Sequence, residues 1–151
     1  MDEVSLPIAA PPERLYDLIT DVTQMGRWSP ECTGGRWLGG ADGPAPGARF
    51  RGSNRHGLVR WWTHCEVTRA DRPSAFEFRV RESGMRWGYR FEPDPADPAT
   101  TVVTEYRDHV RQPPALVAGL VRTGLLGRSR EDMLVDGMRN TLQRLKVAAE
   151  E

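Results

Sequence analysis

The feature that most limits the fold is a change of period along the chain. In "FEFRV" the residues Phe76, Phe78 and Val80 share one face, and in "WGYRF" Trp87, Tyr89 and Phe91 do the same, while Arg79, Arg81 and Arg90 face the other way. An alternation with one apolar and one charged side marks an antiparallel sheet sheltered on a single face. Strands are predicted at "EVSLPI", Gly35 to Gly39, Ala48 to Asn54, Leu58 to Arg69, Ala75 to Glu82, Arg86 to Glu92 and Thr101 to Val110. The stretches between them, "NRHG", "ADRPS", "ESG" and "PDPADPA", are rich in the residues that turns require.

Helical spacing is confined to the two ends. After "AAPP", where proline suits a first helical turn, Leu15, Leu18 and Ile19 make one apolar face. Beyond the strands, Leu116, Val117, Leu120 and Val121 repeat that spacing until Gly124 and Gly127 interrupt it. A long helix is then predicted, with Ser129 as N-cap, Glu131 and Asp132 in its first turn, and Leu134, Met138, Leu142 and Leu145 along one side. Strands grouped apart from helices point to an α+β sheet that curls around its last helix.

Composition excludes several classes. The 151 residues fit one domain, 1–151, and a chain of this size buries about 68–70% of its unfolded surface without disulfides or metal. The 21 basic residues balance 21 acidic ones, so neither nucleic acid nor an anionic membrane surface is an expected partner. Cys32 and Cys65 show no ligand spacing, the N-terminus carries acids where an export signal carries cations, and the longest apolar run, "ALVAGLV", is far short of the ~20 residues of a membrane span. A cytoplasmic setting without membrane insertion is the expectation.

The segment "VSLPIAAPPERLYDLITDVTQMGRWSPE" resembles the opening strand, helix and "D-V-x-x-x-x-x-W-x-P" turn of the START-like (SRPBCC) superfamily, which includes Bet v 1 relatives and bacterial polyketide cyclase/dehydrase-like proteins. "PGARFRGSNR", "WWTHCEVTRADRPSAFEFRV" and "TTVVTEYRD" are similar to its later strands, so the resemblance spans nearly the whole chain. It implies a helix-grip fold, in which a curved sheet of six to seven antiparallel strands wraps a long C-terminal helix, with two short helices after strand 1. It also implies an internal cavity, closed at one end by the tryptophan loop. Trp28 is then either a core plug that fixes "GRWSPE" or a direct ligand contact, with Asp21 and Arg27 securing the loop.

The remaining candidate lining residues are Trp37, Phe50, Asn54, Trp61, Thr63, Phe78, Trp87, Tyr89, Tyr106 and Met138. Aromatic stripes serve plain cores as readily as ligand sites. The polar members sharing those stripes are what favour a pocket for a small hydrophobic molecule. Two phases stay open: Trp61, Thr63 and Cys65 against Trp62 and His64, and Val102, Thr104 and Tyr106 against Val103, Glu105 and Arg107. A one-residue slip or bulge exchanges the two faces.

No HExxH, GxSxG, P-loop or GxGxxG signature occurs, so no metal or cofactor is expected. For proton transfer of the cyclase/dehydratase kind, which the resemblance implies, the candidates are His64, Glu105 and Tyr106, with Arg49 and Arg107. The plain alternative makes both arginines solvated strand charges, Glu105 their cross-strand partner and Tyr106 a core ring. Three functions follow: ligand binding, cyclase/dehydratase chemistry on the bound molecule, or an interaction module pairing through "LVAGLVRTGLL", as monomer or homodimer.

Overall fold

The computed structural model describes residues 2–29, 32–109 and 127–151, with side chains for all of these except 109 and 127–134. The segment "LVAGLVRTGLL", predicted as an apolar helix, lies outside the described residues, as do the side chains of Ser129, Glu131, Asp132 and Leu134.

Strand β1 (Asp2–Ile8) leads into helix α1 (Pro12–Thr20), a 3-10 turn (Val22–Gln24) and the four-residue α2 (Met25–Trp28). Strands β2 (Cys32–Leu38), β3 (Arg49–His56), β4 (Val59–Asp71), β5 (Ala75–Val80), β6 (Met85–Asp94) and β7 (Asp97–His109) follow, then α3 (Gly127–Glu150). All seven strands form one antiparallel sheet in the order β1-β7-β6-β5-β4-β3-β2, so the N-terminal strand closes the edge beside the last one. This is the expected helix-grip α+β arrangement.

The boundaries moved where turn chemistry intervened. β5 stops at Val80, because the chain turns through Gly84, whose φ of 70° suits glycine and whose N–H donates to the Val80 carbonyl at 3.0 Å. β7 begins at Asp97 and pairs with Asp94, so "PDPADPA" is a tight hairpin in which Asp94 Oδ1 accepts from the Ala96 N–H at 2.9 Å. β2 begins at Cys32, with a bulge between Cys32 and Gly34.

Helix α1 buries Leu15, Tyr16 and Ile19, and the edge of the Tyr16 ring meets Phe76 and Phe91 at centroid distances of 6.5 and 6.0 Å. Asp21 caps the 3-10 turn by accepting from the Thr23 N–H and hydroxyl, so it does secure the loop. On α3, Met138, Leu142 and Leu145 are fully buried, each stabilising the fold by about 1.5–3 kcal/mol. The described part of α3 rests mainly on β1, α2, α1 and β7, not across the whole sheet. Val22 sits over Gly35, where a Cβ would come within 2.7 Å of the Val22 carbonyl oxygen, so glycine is what lets the turn settle on β2.

Candidate functional site

Register decides which side chains meet. Phe78 pairs with Trp87, which pairs with Arg107; Phe76 pairs with Tyr89, which pairs with Glu105; Phe91 pairs with Val103. Phe76, Phe78, Tyr89, Phe91 and Val103 all belong to the buried core, so Glu105 and Arg107 share its face. In β4 the bulge falls between Val67 and Arg69, beyond "WWTH", and leaves that phase intact. Trp61, Thr63 and Cys65 therefore join the inner set, while Trp62 is 56% exposed on the outer side.

The inner face is not uniformly sealed. Phe50, Phe76 and Phe78 are buried, with Phe78 edge-on to Phe50 and tilted against Phe76, but Trp37, Asn54, Trp61, Thr63 and Trp87 are only half-buried. These five lie on β2, β3, β4 and β6. Asn54 Nδ2 donates to Thr63 Oγ1 at 3.2 Å, so this part of the face holds a polar pair among rings. Cys32 and Cys65 are buried free thiols, and burial pushes Cys65 up to about 12, which keeps it protonated and unreactive.

The most unusual inner residue is Glu105. It is 3% exposed, and its Oε1 accepts from the Tyr89 hydroxyl at 3.1 Å, while Oε2 has no hydrogen-bond partner among the described residues. Desolvation pushes its carboxyl up to about 8, against the smaller opposing effect of the Tyr89 bond. Burial likewise drives the Tyr89 hydroxyl well above its ordinary value. Two positions along, Arg107 is 3% exposed and its guanidinium pairs with Asp2 at 2.7 Å.

Several expectations need correction. Arg107 is a buried, paired cation and not a solvated strand charge. Glu105 sits across from Val4 and Tyr89, not from an arginine. Tyr106 lies on the outer face, because adjacent strand residues point oppositely and Glu105 points in. Its hydroxyl donates to Glu77 Oε1 at 2.7 Å, Arg90 lies 5.1 Å from its ring centroid, and the ring covers Gly88. Thr104 is outward too, bonded to Ser5 at 2.8 Å. His64 is also outward, tied through its backbone N–H and Nδ1 to Glu82 at 2.6 Å. The trio His64, Glu105 and Tyr106 is thus divided between two faces, with β5 and β6 between β4 and β7.

Sequence reading missed the partnership of Tyr89 with Glu105. The available signal was a glutamate in phase with Val103, a position that a solvated strand charge does not occupy.

Trp28 is 3% exposed and belongs to the buried cluster; the Arg27 guanidinium lies 4.6 Å from its ring centroid, and its Nε1 lacks a partner among the described residues. With Arg27, Gln143, Arg144, Val147, Ala148 and Glu151 it also lines an open groove of about 420 Å³ between α2 and the end of α3. That groove shares only Trp28 with the expected lining set. Among the described residues no group of three or more His, Cys, Asp or Glu is placed to hold a metal, and no helix is long and apolar enough to cross a membrane.

A seven-stranded antiparallel sheet packed with a C-terminal helix defines the helix-grip class. Residues 3–150 match the model of the polyketide cyclase / dehydrase and lipid transport family, and the chain belongs to that family. It is similar to a polyketide cyclase-like protein from Corynebacterium glutamicum solved by NMR, with 28% identity, a TM-score of 0.62, and coverage of 99% of this chain and 88% of that one. A Deinococcus radiodurans protein is 16% identical with a TM-score of 0.68 and coverage of 98% and 95%. The di-domain ARO/CYC StfQ of the steffimycin biosynthetic pathway is 12% identical with a TM-score of 0.66; 99% of this chain aligns with 44% of that one. These last two likenesses concern the fold alone. No curated protein matches the sequence.

Proposed function

We propose that this protein binds a small, largely apolar molecule, of polyketide or lipid type, against the inner face of its sheet. Trp37, Phe50, Trp61, Phe78 and Trp87 supply the apolar wall, Asn54 and Thr63 a polar pair, and Glu105 with Tyr89 the deepest polar contact. The observation that carries the reading is the buried carboxyl of Glu105, with one oxygen unpartnered among the described residues, on the same sheet face as the half-buried Trp37, Trp61 and Trp87. A carboxyl held neutral near pH 7 donates a hydrogen bond to a carbonyl or hydroxyl without the cost of burying a charge. Native mass spectrometry of the protein incubated with lipids and aromatic polyketides tests this. A retained apolar ligand is expected, lost in Trp61→Ala and weakened about tenfold in Glu105→Ala; absence of any retained ligand overturns it.

The second reading is cyclase/dehydratase chemistry on the same bound molecule. It draws support from Glu105 titrating at about 8, where one group both gives and takes a proton near neutrality. Glu105 moves the proton, and the Tyr89 hydroxyl holds the carboxyl in place. A Glu105→Gln variant that binds ligand but leaves the aromatic product profile of a producing strain unchanged removes this reading and spares the first.

A further inference from the structure

A formal charge of zero hides a strong local segregation. From Gly43 to Cys65 the chain has no acidic residue, yet it carries Arg49, Arg51, Arg55 and Arg60. The β3–β4 hairpin in the middle of this stretch sets like charges against each other. Arg55 pairs directly with Arg60, and Arg36 of β2 with Arg51. Like charges directly opposed on a sheet are unfavourable, and no carboxylate is bonded to any of these four among the described residues. The outward acids nearest the hairpin are engaged elsewhere: Glu66, opposite Arg49, pairs with Arg79 at 3.7 Å, and Glu82 bonds His64.

The hairpin tip is apolar as well as basic. Leu58 is 98% exposed and Val59 64%, the most exposed large apolar side chains described. Just behind them, on the outer face, Trp62 is 56% exposed with the Arg51 guanidinium 4.2 Å from its ring centroid. An aliphatic tip, a tryptophan one step back and a collar of arginines is the order in which a lipid surface is layered: acyl chains, interface, anionic headgroups. Nucleic acid or an acidic protein surface satisfies the arginines but gives Leu58 and Val59 nothing apolar to enter.

We propose that the β3–β4 hairpin is a docking surface for an anionic phospholipid membrane, with Leu58 and Val59 entering the headgroup layer and Arg36, Arg51, Arg55 and Arg60 facing its phosphates. This contact is interfacial and does not require a spanning segment. It does not depend on what the inner face binds, because the tip and the outer face carry it.

Co-sedimentation with vesicles of phosphatidylcholine alone, and of phosphatidylcholine containing phosphatidylglycerol, tests the proposal. Wild type is expected to bind the anionic vesicles and lose most of that binding when salt rises from about 0.1 M to about 1 M, where the screening length falls from about 10 to about 3 Å. Arg55→Gln with Arg60→Gln should weaken binding by about tenfold or more, as should Leu58→Ser, which removes the apolar tip and leaves the charge unchanged. Far-UV circular dichroism checks folding, and the double glutamine variant, relieved of one opposed pair, should be no less stable than wild type. Equal binding to both vesicle types, or anionic binding unaffected by Leu58→Ser, overturns the proposal. So does binding to polyglutamate or DNA with none to vesicles, which would assign the arginines to a macromolecular polyanion.

Discussion

Two tyrosine–carboxylate hydrogen bonds lie back to back through the β6–β7 ladder. On the inner face Tyr89 donates to Glu105, and on the outer face Tyr106 donates to Glu77. The chemistry of the two pairs is the same and their surroundings are opposite. Glu77 also has Arg86 at 3.6 Å and belongs to a partly wet network with Arg90 and Asp108 nearby. Glu105 has Tyr89 and Val4 across from it and one oxygen unpartnered among the described residues. The contrast separates a carboxylate that serves the fold from a carboxyl that the fold pays to keep.

The comparison breaks most sharply through pH. Glu105 has a folded value of about 8 against an ordinary 4.5, so the native state holds a proton that the unfolded chain releases. Stability on its account is therefore undiminished below the ordinary value and falls as pH rises toward 8, by a few kcal/mol in all. Glu105→Gln should flatten that part of the stability profile, measured by urea denaturation at several pH values. A profile parallel to wild type would show that Glu105 is ordinarily ionised and the two faces are not different in kind.

A second test targets the outer pair by packing. A Cβ at Gly88 would lie 2.2 Å from Tyr106 Cζ, so Gly88→Ala should cost about 1–3 kcal/mol by displacing the ring, with inner-face ligand binding retained. Introducing Tyr106→Ala beforehand should remove most of that penalty. If the costs simply add, the ring does not lie over Gly88.

Hydroxyl removal sharpens the comparison further. Tyr89→Phe strips Glu105 of its one bond among the described residues and should cost about 1–3 kcal/mol, raising the Glu105 value beyond about 8 because that bond lowers it. Carbon-13 NMR titration of the glutamate side chains reads the shift. Tyr106→Phe should cost less, about 1 kcal/mol, since Glu77 keeps Arg86 and access to water. Equal costs would mean that burial does not distinguish the pairs.

Much of the fold was legible because sheet and helix impose different periods. "FEFRV" and "WGYRF" fixed their own inner faces, since Phe and Trp alternate there with Arg and only one phase buries the rings. "TTVVTEYRD" did not, because valine, threonine, tyrosine and glutamate occupy both phases and local hydrophobicity is nearly balanced. "WWTH" was ambiguous for the same reason, with tryptophan in each phase. Tyr106 is a lining candidate by its sequence, in a strand whose phase stays open, and Gly88 provides the seat that puts its ring outside.

The sequence by itself determined the α+β class, the order of elements, the resemblance to the START-like family and the zero net charge. Tertiary structure alone decided that Glu105 faces inward to Tyr89 while His64 and Tyr106 face outward, and that four arginines gather behind an apolar hairpin tip. The physical reason is that periodicity is a property of neighbours in the chain, whereas burial, pKa and charge opposition depend on which strands are paired and in what register. A shift of one residue in that register would have exchanged every one of these roles.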